Sequence, residues 1–157
     1  MRQALVFHGR NIMRKALALI LVCVLLLGLA ACRRQRAIQL YLPNENADGF
    51  VVKAAQTDGT IESVVALLVA EGALPEGCAA LSFSAQDAAL DMNEAFRLAV
   101  STTGTTGEYL RFGSLVNTVL GCYGLEVLHL TAEGLIIETG HEIYDYALRF
   151  YDNQGAA

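Results

Sequence analysis

The chain has 157 residues, enough for one domain once its N-terminal segment is set aside, and a formal net charge of −5. The charge is unevenly placed: beyond Arg36 only four basic residues stand against all 16 acidic ones, a balance of −12. Such a domain is repelled by nucleic acid and by anionic headgroups, which excludes nucleic acid as a partner.

Arg2, Arg10, Arg14 and Lys15 precede an uncharged apolar run from Ala16 to Ala31. A basic stretch followed by an apolar one is the order of a secretory signal peptide. The run has 16 residues, short of the roughly 20 that cross a bilayer comfortably; an uncleaved anchor is the alternative. The segment closes on Leu29-Ala30-Ala31-Cys32. This resembles a bacterial lipobox, which implies a lipid on the Cys32 thiol and cleavage just before it. The expected organisation is a signal peptide over 1–31, a lipidated cysteine with a short basic tether over 32–36, a domain over 37–152 and a flexible tail over 153–157. The tether reaches at most roughly 18 Å, which keeps the domain close to the outer face of the cytoplasmic membrane. Arg33, Arg34 and Arg36 suit an anionic surface and reinforce an acyl anchor.

Ile38, Leu40 and Leu42 alternate with Gln39 and Tyr41, a period of two that predicts a strand. Pro43 to Gly49 reads as a loop and Phe50 to Ala55 as a short edge strand. Asp58-Gly59-Thr60 announces a helix with Thr60 as N-cap. Ile61, Val64, Val65 and Leu68 form its buried face, and Gly72 and Pro75 stop it. Leu81 to Ala85 and Ala88 to Met92 predict a hairpin turning at Gln86-Asp87. Asn93 to Phe96 reads as a turn or a single helical turn.

Ser101 to Gly107 is polar and precedes the clearest helix. Thr105 and Glu108 have capping-box spacing, and Phe112, Leu115, Val116, Val119, Leu120 and Tyr123 make one apolar stripe that Gly124 ends. Leu125 to Leu130 and Leu135 to Glu138 predict two strands around a turn at Ala132-Glu133-Gly134. The tail, with Ile143, Tyr144, Tyr146, Leu148, Phe150 and Tyr151, is apolar enough to pack.

The predicted fold class is α+β: a small β-α-β-β-α-β sandwich, one sheet with two helices packed on one face. Within that order three stretches resemble the GerM domain of sporulation and spore-germination lipoproteins. They are Ile38-Gln39-Leu40-Tyr41-Leu42; Ala89 to Phe96; and Leu115 to Leu120 continuing through Val127–Leu130, Gly134 and Gly140. The resemblance implies a non-enzymatic part, similar to ring-building modules, in assembling an envelope complex. The partners it implies are the membrane, other envelope or sporulation proteins, and further copies of the chain.

Chemistry is poorly marked. His141-Glu142 with Asp145 has the form H-E-x-x-D but lacks the second histidine of a zinc protease. His129 is expected as a partly buried structural residue. Gly104-Thr105-Thr106-Gly107 lacks the lysine of a P-loop and reads as a loop and helix cap. Asp91 and Glu94 suit turn and capping roles, and Ser63 and Ser114 lie outside any nucleophile elbow. No catalytic, cofactor or metal residue is expected. Cys23 leaves with the signal peptide, and Cys78 and Cys122 either form a disulfide or stand as two small apolar residues. Leu67, Val69, Tyr109 and the tail tyrosines are candidate exposed surface for an interaction role. The alternative function is a lipoprotein that binds cell-wall fragments or another small polar molecule, with Tyr144, Tyr146 and Tyr151 as stacking surfaces.

Overall fold

The computed structural model describes residues 35–152. Cys32, the expected signal peptide over 1–31 and the expected tail over 153–157 lie outside the described residues.

The first element, β1 (Arg36–Pro43), pairs antiparallel along its full length with β2 (Phe50–Thr57). The loop between them is closed by Asn44, whose Nδ2 donates to Asp48 Oδ1 at 2.7 Å while Asp48 N donates back to its Oδ1 at 3.1 Å. Ile38, Leu40 and Leu42 are buried, as the alternation requires. The helix α1 (Ile61–Ala70) starts at Thr60, whose hydroxyl accepts from Ser63 N, and it buries Ile61, Val64, Val65 and Leu68.

Next come the hairpin β3 (Ala80–Ser84) and β4 (Ala89–Met92), the helices α2 (Glu94–Ser101) and α3 (Thr105–Tyr123), and the strands β5 (His129–Ala132), β6 (Leu135–Glu138) and β7 (Ile143–Tyr144). The order in the second sheet is β3-β4-β5-β6-β7. Only the β4–β5 pair is parallel. A parallel pair needs a crossover of a dozen or more residues, and α2 with α3 supplies it.

The α+β class is as read from the sequence, with three differences of detail among the described residues. First, there are two sheets rather than one: β1 takes β2 as its partner, and the remaining strands pair among themselves. Second, there are three helices. The expected single turn after Asn93 runs to Ser101, because Phe96, Ala99 and Val100 fall at positions i, i+3 and i+4 and are all buried. The expected strand from Leu125 shortens to one that starts at His129.

The helix α3 is the centre of the domain. The apolar stripe Phe112, Leu115, Val116, Val119 and Leu120 is buried as expected, and so are Gly113, Ser114, Asn117 and Thr118 on its other side. That side meets β1, β2 and the C-terminal segment. Thr118 Oγ1 accepts from Tyr41 N at 3.0 Å. Asn117 clamps Tyr151, donating to its carbonyl at 2.9 Å and accepting its N–H at 2.8 Å. Fully burying one Phe, Leu or Val side chain stabilises by about 1.5–3 kcal/mol, so α3 needs no strong local propensity. Gly124, at φ 67°, ends it in the left-handed conformation that glycine adopts without a Cβ penalty.

Candidate functional site

The first turn of α3 departs from the expected capping box. Gly104 is the N-cap and no side chain caps the helix. Glu108 instead turns inward and is only 2% exposed. Its Oε1 accepts from Tyr144 Oη at 2.6 Å and from Thr139 Oγ1 at 2.9 Å. The Thr139 hydroxyl is itself oriented by the N–H groups of His141 at 3.2 Å and Glu142 at 3.1 Å, which donate to it. With its lone pairs engaged, its proton has two acceptors in reach, the carboxylate at 2.9 Å and the more distant Glu142 carbonyl at 3.3 Å. Glu108 Oε2 is buried and has no hydrogen-bond partner.

Aromatic rings surround this carboxylate. Tyr144 stacks on Phe112 with centroids 3.9 Å apart and planes 15° from parallel, and Tyr146 lies 6.1 Å from Tyr144. Tyr109 meets Tyr151 edge-on at 5.3 Å, and its hydroxyl donates to the Asp152 carbonyl. The four tyrosines, Glu108 and Glu142 line an open-sided cleft of about 230 Å³. Burial, then the bond to Glu108 and that group's charge, push the Tyr144 phenol far above its ordinary range. Tyr151 is raised as well, by burial first and then by acidic and phenolic neighbours. The site is an open-sided cleft with aromatic walls, and one buried oxygen of the carboxylate on its lining has no hydrogen-bond partner.

Of the other sequence candidates, Thr105, His141 and Glu142 also lie on the cleft lining, and the rest are scattered. His141, Glu142 and Asp145 are all exposed, and no group of His, Cys, Asp and Glu among the described residues could hold a metal ion. His129, expected to be partly buried, is exposed: the strand's inward positions are Leu130 and Ala132. Asp91 has a structural role, accepting from Thr131 Oγ1 at 2.7 Å and Gly134 N at 2.9 Å. Glu94 pairs with Arg97 one turn on. Leu67 and Val69, expected as exposed surface, pack partly buried against the core.

Cys78 and Cys122 are both free thiols, so the disulfide allowed by the sequence is not formed. Cys78 belongs to the core, and Cys122 Sγ accepts from Arg36 Nη2 at 2.9 Å. Burial is the main influence on both thiols and raises them. Arg36, read from the sequence as part of the basic tether, instead opens β1 and lays its guanidinium over Tyr123, 5.2 Å from the ring centre.

Glu108 is the residue sequence reasoning missed. It lies four residues before Phe112 and seven before Leu115, on the stripe that defines the buried face. That register was the available signal, and the capping-box spacing concealed it.

The domain is thus an α+β fold with a carboxylate-floored aromatic cleft. No protein-family model matches the chain, and no curated protein matches it. Among solved structures, it is similar to the crystal structure of a candidate lipoprotein from Clostridium perfringens, with 13% identity and a TM-score of 0.47, over 73% of this chain and 87% of that one. No helix among the described residues is long and apolar enough to cross a membrane.

Proposed function

We propose that the chain is a lipoprotein precursor anchored through Cys32 at the outer face of the cytoplasmic membrane. Its GerM-like domain serves as a non-enzymatic interaction module of an envelope complex linked to sporulation or germination. The observation that carries this reading is the β1–β2 ribbon. It begins at Arg36, four residues after the proposed lipid site, so the tether enters the domain at the start of this ribbon. Among the described residues β2 has a strand on one side only, and Val51 and Val52 are half exposed on it. A strand edge of eight residues offers backbone donors and acceptors to a further strand from another copy or a membrane-bound partner.

Membrane fractionation and acyl labelling test the anchor. Wild type is expected in the membrane fraction with label, and Cys32→Ala in the soluble fraction without it. An unlabelled wild type that stays in the membrane is the signature of an uncleaved apolar anchor and overturns the lipoprotein. Chemical cross-linking of the anchored protein tests the edge: Val52→Lys is expected to abolish the cross-linked species seen with wild type. Deletion of the chromosomal copy tests the role. Heat-resistant spore counts should fall, recovering with wild type and not with Cys32→Ala; unchanged counts and germination sink the sporulation link.

A second reading, a lipoprotein that binds a small polar ligand, is favoured by one observation, the aromatic cleft over Glu108.

A further inference from the structure

We infer that the cleft at the start of α3 binds a primary alkylammonium group, with Glu108 Oε2 accepting its N–H bonds and the surrounding tyrosine rings facing its charge. This inference rests on the ligand-binding reading and gives it a chemical class. The base of the cleft holds a carboxyl group that is 2% exposed, and its Oε1 is already satisfied by two hydroxyl donors. The remaining oxygen has no partner. A buried polar atom left without a hydrogen bond is costly and rare, and the group that removes the cost is a donor. Tyr144 cannot supply a second bond, since its one proton is committed to Oε1.

Three features select a cationic donor over a neutral one. The walls are the rings of Tyr109, Tyr144, Tyr146 and Tyr151, whose faces attract cations. Glu142 adds a second carboxylate on the lining, which also carries Thr105 and the imidazole of His141. The domain around the cleft carries five basic residues against 16 acidic ones, a field that concentrates cations. The small volume, about 230 Å³, suits a single ammonium head with a short chain and not a folded partner. A primary ammonium is favoured over a quaternary one because only the former has an N–H for Oε2.

Calorimetric titration of the full chain in detergent, at physiological ionic strength to screen general attraction, tests this with three probes. They are n-butylammonium, the neutral n-butanol and tetramethylammonium. Saturable binding of n-butylammonium is expected, at least about tenfold tighter than either of the others, which is the scale of one charged hydrogen bond. Glu108→Gln should weaken n-butylammonium by a similar factor. Retention of wild-type affinity in Glu108→Gln overturns the assignment. Equal binding of amine and alcohol overturns the ammonium chemistry while leaving a ligand cleft in place. Tight binding of tetramethylammonium alone overturns the role of Oε2. Absence of binding by all three removes the ammonium site, and wall-derived fragments titrated alongside then decide the broader ligand reading. Should Glu108→Gln fail to fold, Tyr146→Ala decides, because Tyr146 is 46% exposed and dispensable for packing. It should weaken n-butylammonium about threefold, on the scale of an exposed cation–π contact, and an unchanged affinity overturns the site.

Discussion

Glu108 and Tyr123 show how a single position departs from its local pattern. A Thr-x-x-Glu spacing offers the glutamate two destinations, back to the helix N-terminus or inward. The inward one wins because Tyr144 and Thr139, 36 and 31 residues away in sequence, both donate to it. Local spacing carries no information about such partners, so the tail tyrosines were legible as packing residues while their polar contact was not. Tyr123 is the clearest case with a measurable pH consequence. Its hydroxyl donates to the Gly59 carbonyl at 3.0 Å, and its ring lies 4.4 Å from Phe83. Burial first, helped by Cys122, Glu62 and Asp58 and opposed by Arg36, pushes the phenol up to about 12 from its ordinary 10. The folded pKa exceeds the unfolded one, so the contribution is fully present below pH 10 and is lost as pH rises through about 12. Urea unfolding across that window should show stability falling. Tyr123→Phe should flatten that slope in part, Tyr144 and Tyr151 retaining theirs, and cost about 0.5–1.5 kcal/mol at neutral pH.

At the scale of elements, helices and strands with strong periodicity were readable, as were the β3–β4 and β5–β6 hairpins, while the division into two sheets and the parallel β4–β5 pair were not. The apolar stripe of α3, the Thr60 cap of α1 and the alternation of β1 all follow from local spacing. Which strand joins which sheet depends on contacts far apart in the chain, and here β1 and β2 close on each other. The length of α2 was hidden because Asn93 looks like a turn residue. It is a turn residue and a helix cap together. Its Oδ1 accepts from Phe96 N at 3.3 Å and from Ala79 N at 3.1 Å, and its Nδ2 donates to the Gly77 carbonyl at 2.7 Å. One side chain therefore fastens α2 to the loop before β3. Asn93→Ala should cost about 2 kcal/mol in denaturant unfolding. Asn93→Asp keeps both acceptor bonds and should recover about half of that.

Taken as one body, the described domain has a single helix serving two sheets. The ribbon is held to α3 where Phe50 lies over Gly113: a Cβ added there would sit 2.1 Å from Phe50 Cζ and 2.9 Å from Cε1. Phe50 is itself buried, so its ring has little room to retreat. Alanine in a helix is worth about 1 kcal/mol over glycine, but overpacking costs about 1–3 kcal/mol. Gly113→Ala should therefore destabilise by about 1 kcal/mol, the reverse of the usual sign in a helix. In a double-mutant cycle Phe50→Leu should recover part of the loss, and strict additivity would show that the two residues are not coupled.

The same arrangement sets an order of events during synthesis. Tyr41 and Thr118, whose bond joins ribbon to helix, are 77 residues apart, so β1 leaves the ribosome long before the surface that covers it exists. Until α3 follows, Ile38, Leu40 and Leu42 have nothing to pack against, and a two-stranded ribbon alone is marginal in water. A chain that stalls before Thr105 thus presents a sticky, unfinished hairpin. The last third of the sequence, through α3 and the Asn117 clamp on Tyr151, decides whether β1 and β2 are structure or a target for proteases.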